Sequence, residues 1–161
     1  MAFESDRFAL ARSALGSDPS RSAPALFAYG SLLIDEVIAA LLDRVPEHEP
    51  ARAPGYRVSQ LPGQSYPGLV HDGSSEAPGR IYCGISPEEW ALLDAFENPM
   101  YEVQVVTLGD GRKALAYVWT KDSLIGAMGW TAASMTGVVL EQYLEWTKAW
   151  REEYMAQLEA S

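Results

Sequence analysis

The stretch Ala25-Leu26-Phe27-Ala28-Tyr29-Gly30-Ser31-Leu32-Leu33 is the most informative segment of the chain for its architecture. Its apolar first half has the length of a buried strand, and Gly30-Ser31 interrupts the run. From Ile34 to Leu42 apolar residues recur at helical spacing, until Val45-Pro46 ends the pattern. The segment therefore predicts a strand, a tight glycine loop and a helix of about ten residues.

The loop between this strand and this helix is a candidate anion site. Backbone N–H groups at the start of a helix are unpaired and can hold a carboxylate or an oxyanion, and Gly30 allows a ligand to approach the backbone. The loop has neither the lysine of a P-loop nor the spaced glycines of a dinucleotide fingerprint, so nucleotide binding is not indicated. An ordinary strand-to-helix turn fits the same pattern, and both interpretations stay open.

Residues 1–24 lie upstream of the strand and differ from it in composition. They are rich in Ser, Ala, Arg and Asp, and after a short helical start at Phe8 and Leu10 nothing sustains a helix. We therefore predict a flexible or peripheral arm over residues 1–24 and a single domain over residues 25–161.

Pro-Gly pairs punctuate the region from residue 51 to residue 84. Short extended segments over Tyr56–Leu61, Gly68–His71 and Arg80–Cys83 are typical of strands. The pairs, which all fall between residues 54 and 79, are Pro54-Gly55, Pro62-Gly63, Pro67-Gly68 and Pro78-Gly79. Because such pairs end or redirect strands, they favour a compact, barrel-like sheet over a flat open one.

The second half of the chain contains the strongest local signals. Ser86-Pro87-Glu88-Glu89 is typical of a helix start, with an N-cap serine, a first-turn proline and a capping-box glutamate; the helix should end near Asn98-Pro99. Tyr101–Leu108 and Lys113–Trp119 have the pattern of two strands, joined in a hairpin by Gly109-Asp110-Gly111.

A long helix is predicted at the C-terminus. Its apolar face contains Val139, Tyr143, Trp146, Trp150 and Tyr154. We expect this helix to pack across the sheet, with its tryptophans in the core. The predicted fold class is therefore α+β, a small, curved, mostly antiparallel, barrel-like sheet with flanking helices and a long C-terminal helix.

Composition excludes several classes of function. The 161 residues carry a net charge of −10, so a phosphate backbone or an anionic lipid surface would be repelled, and we expect no nucleic-acid and no membrane partner. One cysteine and two histidines make a metal site unexpected. No apolar run reaches the length of about 18 residues that a membrane helix needs, and no secretory signal is recognisable, so we expect a cytoplasmic protein.

Glu97 is the candidate catalytic residue that helical spacing singles out. Trp90, Leu93 and Glu97 are three and four residues apart, so the carboxylate continues the row of side chains that faces the core. Burial and the negative end of the helix dipole both disfavour the charged form, so the pKa of Glu97 should rise toward neutrality, as suits a general base. A frayed helix end with Glu97 in solvent fits the spacing too.

Several motifs, in order and spacing, resemble the γ-glutamylcyclotransferase-like family, in its branch with the avirulence-induced proteins and γ-glutamylamine cyclotransferases. The resemblance covers about residues 25 to 120. The motifs are Tyr29-Gly30-Ser31-Leu32, Tyr66-Pro67-Gly68, Gly79-Arg80-Ile81-Tyr82, Leu93-Asp94-Ala95-Phe96-Glu97 before Tyr101, and Ala116-Tyr117-Val118-Trp119.

The resemblance implies an activity and a set of site residues. The product would be 5-oxoproline, formed without cofactor or metal by cyclisation of a small γ-glutamyl amine or γ-glutamyl-protected compound. Glu97 would be the catalytic acid and base, and the loop of Tyr29, Gly30, Ser31 and Leu32 would hold the glutamyl part. The other residues implied to bind substrate are Tyr66, Pro67, Tyr101 and Tyr117.

Two departures from the family pattern keep alternatives open. Asn98-Pro99-Met100 replaces the usual glycine-containing turn after the acid, and Tyr101-Glu102-Val103 lacks the basic residue that many relatives have after the tyrosine. A catalytically silent small-molecule-binding or interaction module is therefore one alternative. Another amide-forming, amide-cleaving or cyclising step in a specialised biosynthetic pathway is the second.

Overall fold

The computed structural model describes residues 6–15, 24–62, 67–121, 132 and 135–160. The helices are α1 (Asp6–Leu15), α2 (Asp35–Leu42), α3 (Pro87–Phe96) and α4 (Gly137–Ala160), with a 3₁₀ turn at Ser31–Leu33. The strands are β1 (Leu26–Ala28), β2 (His48–Gln60), β3 (Pro67–Tyr82), β4 (Glu102–Thr107) and β5 (Lys113–Val118). The α+β class predicted from the sequence is confirmed.

The strands form one curved, mostly antiparallel sheet in the order β2-β3-β1-β5-β4. The pairs β1–β3, β2–β3 and β4–β5 are antiparallel, whereas β1–β5 and a short β3–β5 contact are parallel. The sheet is open, yet its edges approach each other at one end, where Gly109 N–H donates to the carbonyl of Arg52 at 2.9 Å. This curvature agrees with the predicted barrel-like shape.

Two of the Pro-Gly pairs do not end strands, contrary to prediction. Strands β2 and β3 run through Pro54-Gly55 and Pro78-Gly79, so the segments expected as separate short strands at Gly68–His71 and Arg80–Cys83 belong mostly to β3. The register shifts at Gly55, where φ is +86°, as in a bulge. At Gly79 a Cβ would lie 2.3 Å from the carbonyl oxygen of Ala28, so the glycine permits close pairing with β1.

Helix α1 corrects the interpretation of the N-terminal segment. Within residues 1–24, where no sustained helix was expected, Asp6–Leu15 is helical. Phe8 and Ala11 are buried, and the ring of Phe8 lies 4.8 Å from that of Trp90. The helix has little apolar periodicity in its sequence, so contacts with the rest of the fold stabilise it more than its own pattern does.

The two faces of the sheet have different environments. Phe27 of β1 and Tyr29, the residue after the strand, enter an apolar cluster enclosed by the curved sheet, whereas Leu26 and Ala28 enter a second cluster with α1, α2 and α3. Because these three helices cover that face, α4 does not pack across the sheet as expected. It lies against α2 instead, where Arg151 Nε donates to the carbonyl of Leu41 at 2.8 Å.

Helix α4 is mostly exposed. Thr147 is its one fully buried residue, and Trp146 is 53% exposed, so the expectation of a core position for Trp146 is wrong. None of the helices in the described ranges is long and apolar enough to cross a membrane.

Candidate active site

The helix that positions Glu97 starts as the sequence predicts. Glu89 N–H donates to Ser86 Oγ at 3.1 Å, and Ser86 N–H donates to Glu89 Oε1 at 2.9 Å, which completes a capping box. Leu93 is buried one turn before Glu97, and Trp90 is buried two turns before it. Glu97 is the C-cap residue, with extended backbone at φ −73° and ψ 140°, so its side chain projects from the end of α3.

The Glu97 carboxyl group titrates near neutrality. Burial is the largest cause that raises its pKa, to about 7; the positive charge of Arg7 lowers the pKa, and the negative charge of Asp94 raises it. The residue as a whole is half-buried because it lines two cavities. Both protonation states are therefore populated around neutral pH, as a group needs if it both accepts and donates a proton.

Arg7 of α1 orders the backbone around Glu97. Its Nε donates to Asp94 Oδ1 at 2.9 Å, and its Nη2 donates to the carbonyls of Asp94 at 2.8 Å and Glu97 at 3.1 Å. Its Nη1 donates to the carbonyls of Asn98 at 2.8 Å and Tyr101 at 2.9 Å. The unusual turn after Glu97 is thus held from inside by one guanidinium.

Sequence reasoning missed both Arg7 and Asp94. Asp94 precedes Glu97 by three residues, so it shares the inward helix face and is buried in the structure. A buried carboxylate requires a cationic or hydrogen-bonding partner. The inward position of Asp94 in the helix could therefore have indicated that such a partner exists. The identity of that partner was not accessible, because Arg7 is 87 residues away in the chain.

Tyrosine side chains line the inner side of the site. Tyr117 O–H donates to Asp94 Oδ1 at 2.8 Å, and Tyr29 O–H donates to the carbonyl of Tyr117 at 2.6 Å. Tyr101 O–H donates to the carbonyl of Pro67. Burial, followed by nearby carboxylates, raises the pKa of both Tyr29 and Tyr117 well above the ordinary value, so these two hydroxyls stay protonated.

The glycine loop forms the opposite side of the inner cavity. The 3₁₀ turn is closed by Leu33 N–H, which donates to the carbonyl of Gly30 at 2.9 Å. The N–H groups of Ser31 and Leu32 come before this bond and take no part in the hydrogen bonds of the turn itself. A Cβ at Gly30 would lie 2.9 Å from Pro67 Cγ, so a side chain here would displace Pro67. Tyr82 O–H donates to the carbonyl of Leu32 at 2.5 Å and fixes the loop to β3.

Two cavities meet at Glu97. The inner one measures about 30 Å³ and the outer one about 520 Å³, and both are lined by Ser31, Glu97 and Tyr101. The other residues on the inner cavity are Leu26, Phe27, Ala28, Tyr29, Gly30, Leu32, Pro67 and Tyr117. The other residues on the outer cavity are Phe96, Asn98, Val139, Gln142, Tyr143 and Trp146.

The structure brings most of the predicted site residues together. Glu97, the loop 29–32, Pro67, Tyr101 and Tyr117 all line the inner cavity. Tyr66 lies outside the described residues. The outer wall formed by α4 was missed, because the helical pattern does not reveal which surface it faces. Among the described residues, no cluster of three or more His, Cys, Asp and Glu side chains could hold a metal ion.

Comparison with known proteins identifies relatives of this chain. The sequence pattern of the family described as "Gamma-glutamyl cyclotransferase, AIG2-like" matches residues 26–132. "AIG2-like protein D" of Arabidopsis thaliana is 32% identical over 135 residues, which cover 80% of this chain and 89% of the relative.

Solved structures give the same result for the fold. A solution structure of an Arabidopsis thaliana protein has a TM-score of 0.58 and 26% identity, covering 86% of this chain and 90% of the other. A structure described as "Gamma-glutamyl cyclotransferase" has a TM-score of 0.50 and 19% identity, covering 78% and 86%. At that identity the second likeness concerns the fold alone.

Proposed function

The chain belongs to the gamma-glutamyl cyclotransferase, AIG2-like family, and on that premise we propose that it cyclises a small γ-glutamyl compound. The products are 5-oxoproline and a free amine. The observation that supports this proposal most strongly is the position of Glu97, whose carboxyl has a pKa of about 7 and lies where the two cavities meet.

Proton transfer by Glu97 accounts for both halves of the reaction. Ionised Glu97 accepts a proton from the α-ammonium group of the substrate, and the neutral amine attacks the γ-carbonyl carbon. When the resulting tetrahedral intermediate collapses, the bond to the leaving nitrogen breaks and that nitrogen takes the proton from Glu97. The ring nitrogen still carries a second proton from the original ammonium group, and Glu97 passes this proton to the released amine, which leaves as an ammonium ion. The five-membered lactam is then complete and Glu97 is ionised again, so no external reactant is consumed.

The attack is intramolecular, so the protein mainly has to fold the substrate and move protons. We assign the α-carboxylate of the substrate to the inner cavity, beside the N–H groups of Ser31 and Leu32. The Tyr29 and Tyr117 hydroxyls already donate to protein acceptors, so we do not assign the developing oxyanion to them.

The unusual turn after Glu97 is compatible with catalysis. Asn98 Oδ1 accepts from Met100 N–H at 2.8 Å, and the carbonyl of Asn98 accepts from Tyr101 N–H at 3.1 Å. With the bonds from Arg7, these contacts hold the backbone on both sides of Asn98-Pro99. An ordered turn supports an enzyme over a silent binding module, because a base needs a fixed position.

Release of 5-oxoproline from γ-glutamyl amides tests the proposal. We expect turnover by the wild type and a loss of about 10²-fold to 10⁴-fold in Glu97→Gln, since the amide is nearly isosteric but does not exchange the proton. Glu88→Gln is the matched control, because Glu88 is exposed in the first turn of the same helix. Full turnover by Glu97→Gln would contradict the mechanism.

A further inference from the structure

The outer cavity has an aromatic wall that the cyclisation chemistry does not use. Phe96 is the last residue of α3, and Tyr143 and Trp146 project from α4. Trp146 is 53% exposed and Val139, on the same wall, is also 53% exposed. Large apolar side chains left in solvent around a cavity are typical of a surface that binds an apolar group.

The aromatic rings form a continuous wall. The centroid of the Trp146 ring lies 5.4 Å from that of Phe96 and 5.8 Å from that of Tyr143, both pairs being tilted at 49°. Rings this close contact one another, so no space remains between them for the ammonium group that an aromatic cage would enclose. The wall offers ring edges and faces to a flat or bulky apolar group.

The charges around the outer cavity exclude an anionic occupant. Among the described residues that line it, Glu97 is the ionisable carboxyl, Asn98 and Gln142 are neutral amides, and there is no lysine or arginine. A carboxylate placed here would be desolvated without a cation and would lie near the negative charge of Glu97.

The position of the reacting bond assigns a substrate part to each cavity. Ser31, Glu97 and Tyr101 line both cavities, so the bond that Glu97 protonates lies at their boundary. The inner cavity of about 30 Å³ has room for the end of the glutamyl group. The departing amine therefore extends into the outer cavity, whose 520 Å³ is within the usual size of small-molecule sites.

We infer that the leaving amine carries an uncharged aromatic or bulky apolar substituent. This substituent contacts the wall formed by Phe96, Tyr143 and Trp146. This inference rests on the proposed cyclotransferase function. It also assigns a role to α4, which begins after the segment that matches the family pattern.

A matched set of synthetic γ-glutamyl amides tests the inference. The phenethylamide, the ethylamide and γ-glutamylglycine share the glutamyl part and release primary alkyl amines, but differ in apolar area and charge. We expect kcat/KM for the phenethylamide to exceed that for the ethylamide by about 10-fold or more, and γ-glutamylglycine to be the poorest substrate. Equal values, or a preference for γ-glutamylglycine, would overturn the inference while leaving the cyclotransferase function intact.

Substitutions on α4 connect the preference to the wall. Trp146→Ala should lower the ratio of kcat/KM for phenethylamide over ethylamide by about 10-fold, and Trp146→Phe should restore most of it. Val138→Ala is the control, since Val138 is 65% exposed and does not line the cavity. An unchanged ratio in Trp146→Ala would overturn the assignment of the amine to this wall.

Binding separates failure of the inference from failure of the proposed function. If no amide releases 5-oxoproline although the protein is folded, the proposed function is wrong. Calorimetry with the intact amides then tests separately whether the aromatic wall binds the amine part. Tighter binding of the phenethylamide that is lost in Trp146→Ala supports the inference, and equal binding of all three amides overturns it.

Discussion

The inner and outer sides of the Glu97 carboxyl are built in opposite ways. On the inner side Asp94, Tyr117 and Tyr29 are buried and joined by hydrogen bonds to one another and to Arg7. On the outer side Trp146 and Val139 are half in solvent and contribute apolar surface. A polar network holds side chains in fixed positions, whereas an exposed apolar wall favours one class of ligand without fixing its geometry.

The difference suggests a division of labour around one carboxyl. In the proposed mechanism, the inner side sets the position and the ionisation of Glu97, and the outer side selects the amine that departs. The segment that matches the family pattern, residues 26–132, includes Asp94, Glu97 and Tyr117, but neither Arg7 nor the residues of α4. Both flanking helices therefore act on the site from outside the matched segment.

Removing Arg7 should have the largest effect on the inner side. Arg7→Ala leaves Asp94 buried without its cation and removes one hydrogen bond from each of the carbonyls of Glu97, Asn98 and Tyr101. We expect the free energy of unfolding to fall by about 3–5 kcal/mol, measured by urea denaturation. Because Arg7 lowers the pKa of Glu97, Glu97 should titrate at higher pH in this variant than in the wild type. A loss below about 1 kcal/mol would mean that α1 does not support the site.

Removing the charge of Asp94 should give a smaller loss and the opposite shift. Asp94→Asn retains Oδ1, the oxygen that accepts from both Arg7 and Tyr117, so we expect a decrease of about 2–3 kcal/mol in the free energy of unfolding. The Asp94 charge raises the pKa of Glu97, so the midpoint of the activity profile should move to lower pH. Shifts in the same direction for Arg7→Ala and Asp94→Asn would contradict this electrostatic account.

The contact between the loop and α4 should have the smallest effect. Ser31 Oγ and Tyr143 Oη lie 2.9 Å apart, at the boundary between the two sides. Tyr143→Phe removes this hydrogen bond but retains the ring, so we expect a loss of about 1 kcal/mol, measured as a lower Tm. A loss as large as that of Arg7→Ala would show that the outer wall is part of the same rigid network, which would remove the contrast.

Local signals in the sequence predicted the elements that position Glu97. The capping box at Ser86 and Glu89 involves four consecutive residues, and the inward direction of Glu97 follows from spacing within one helix. The strand at Leu26–Ala28 and the loop after it are local for the same reason. Each of these features depends on neighbours in the chain, which a pattern can show.

The missed features all depend on residues distant in sequence. Arg7 reaches Asp94 across 87 positions, and its helix has little apolar pattern of its own. The face of α4 is recognisable, but α1, α2 and α3 already cover the sheet, so Trp146 borders a cavity instead of a core. Pro54-Gly55 lies within the continuous strand β2, which is at the edge of the sheet. The proline is tolerated there because the strand has a bulge at this point and pairs with another strand on one side only.

The pH dependence of kcat/KM for 5-oxoproline release tests most directly whether Glu97 is the base. Since the ionised carboxyl must accept the first proton, the rate should rise with pH and reach half its plateau at about 7, the pKa that burial gives Glu97. Glu88→Gln should retain this profile. A rate that is constant from about pH 5.5 to pH 8, or a midpoint at the ordinary glutamate value of about 4.3, would contradict the account.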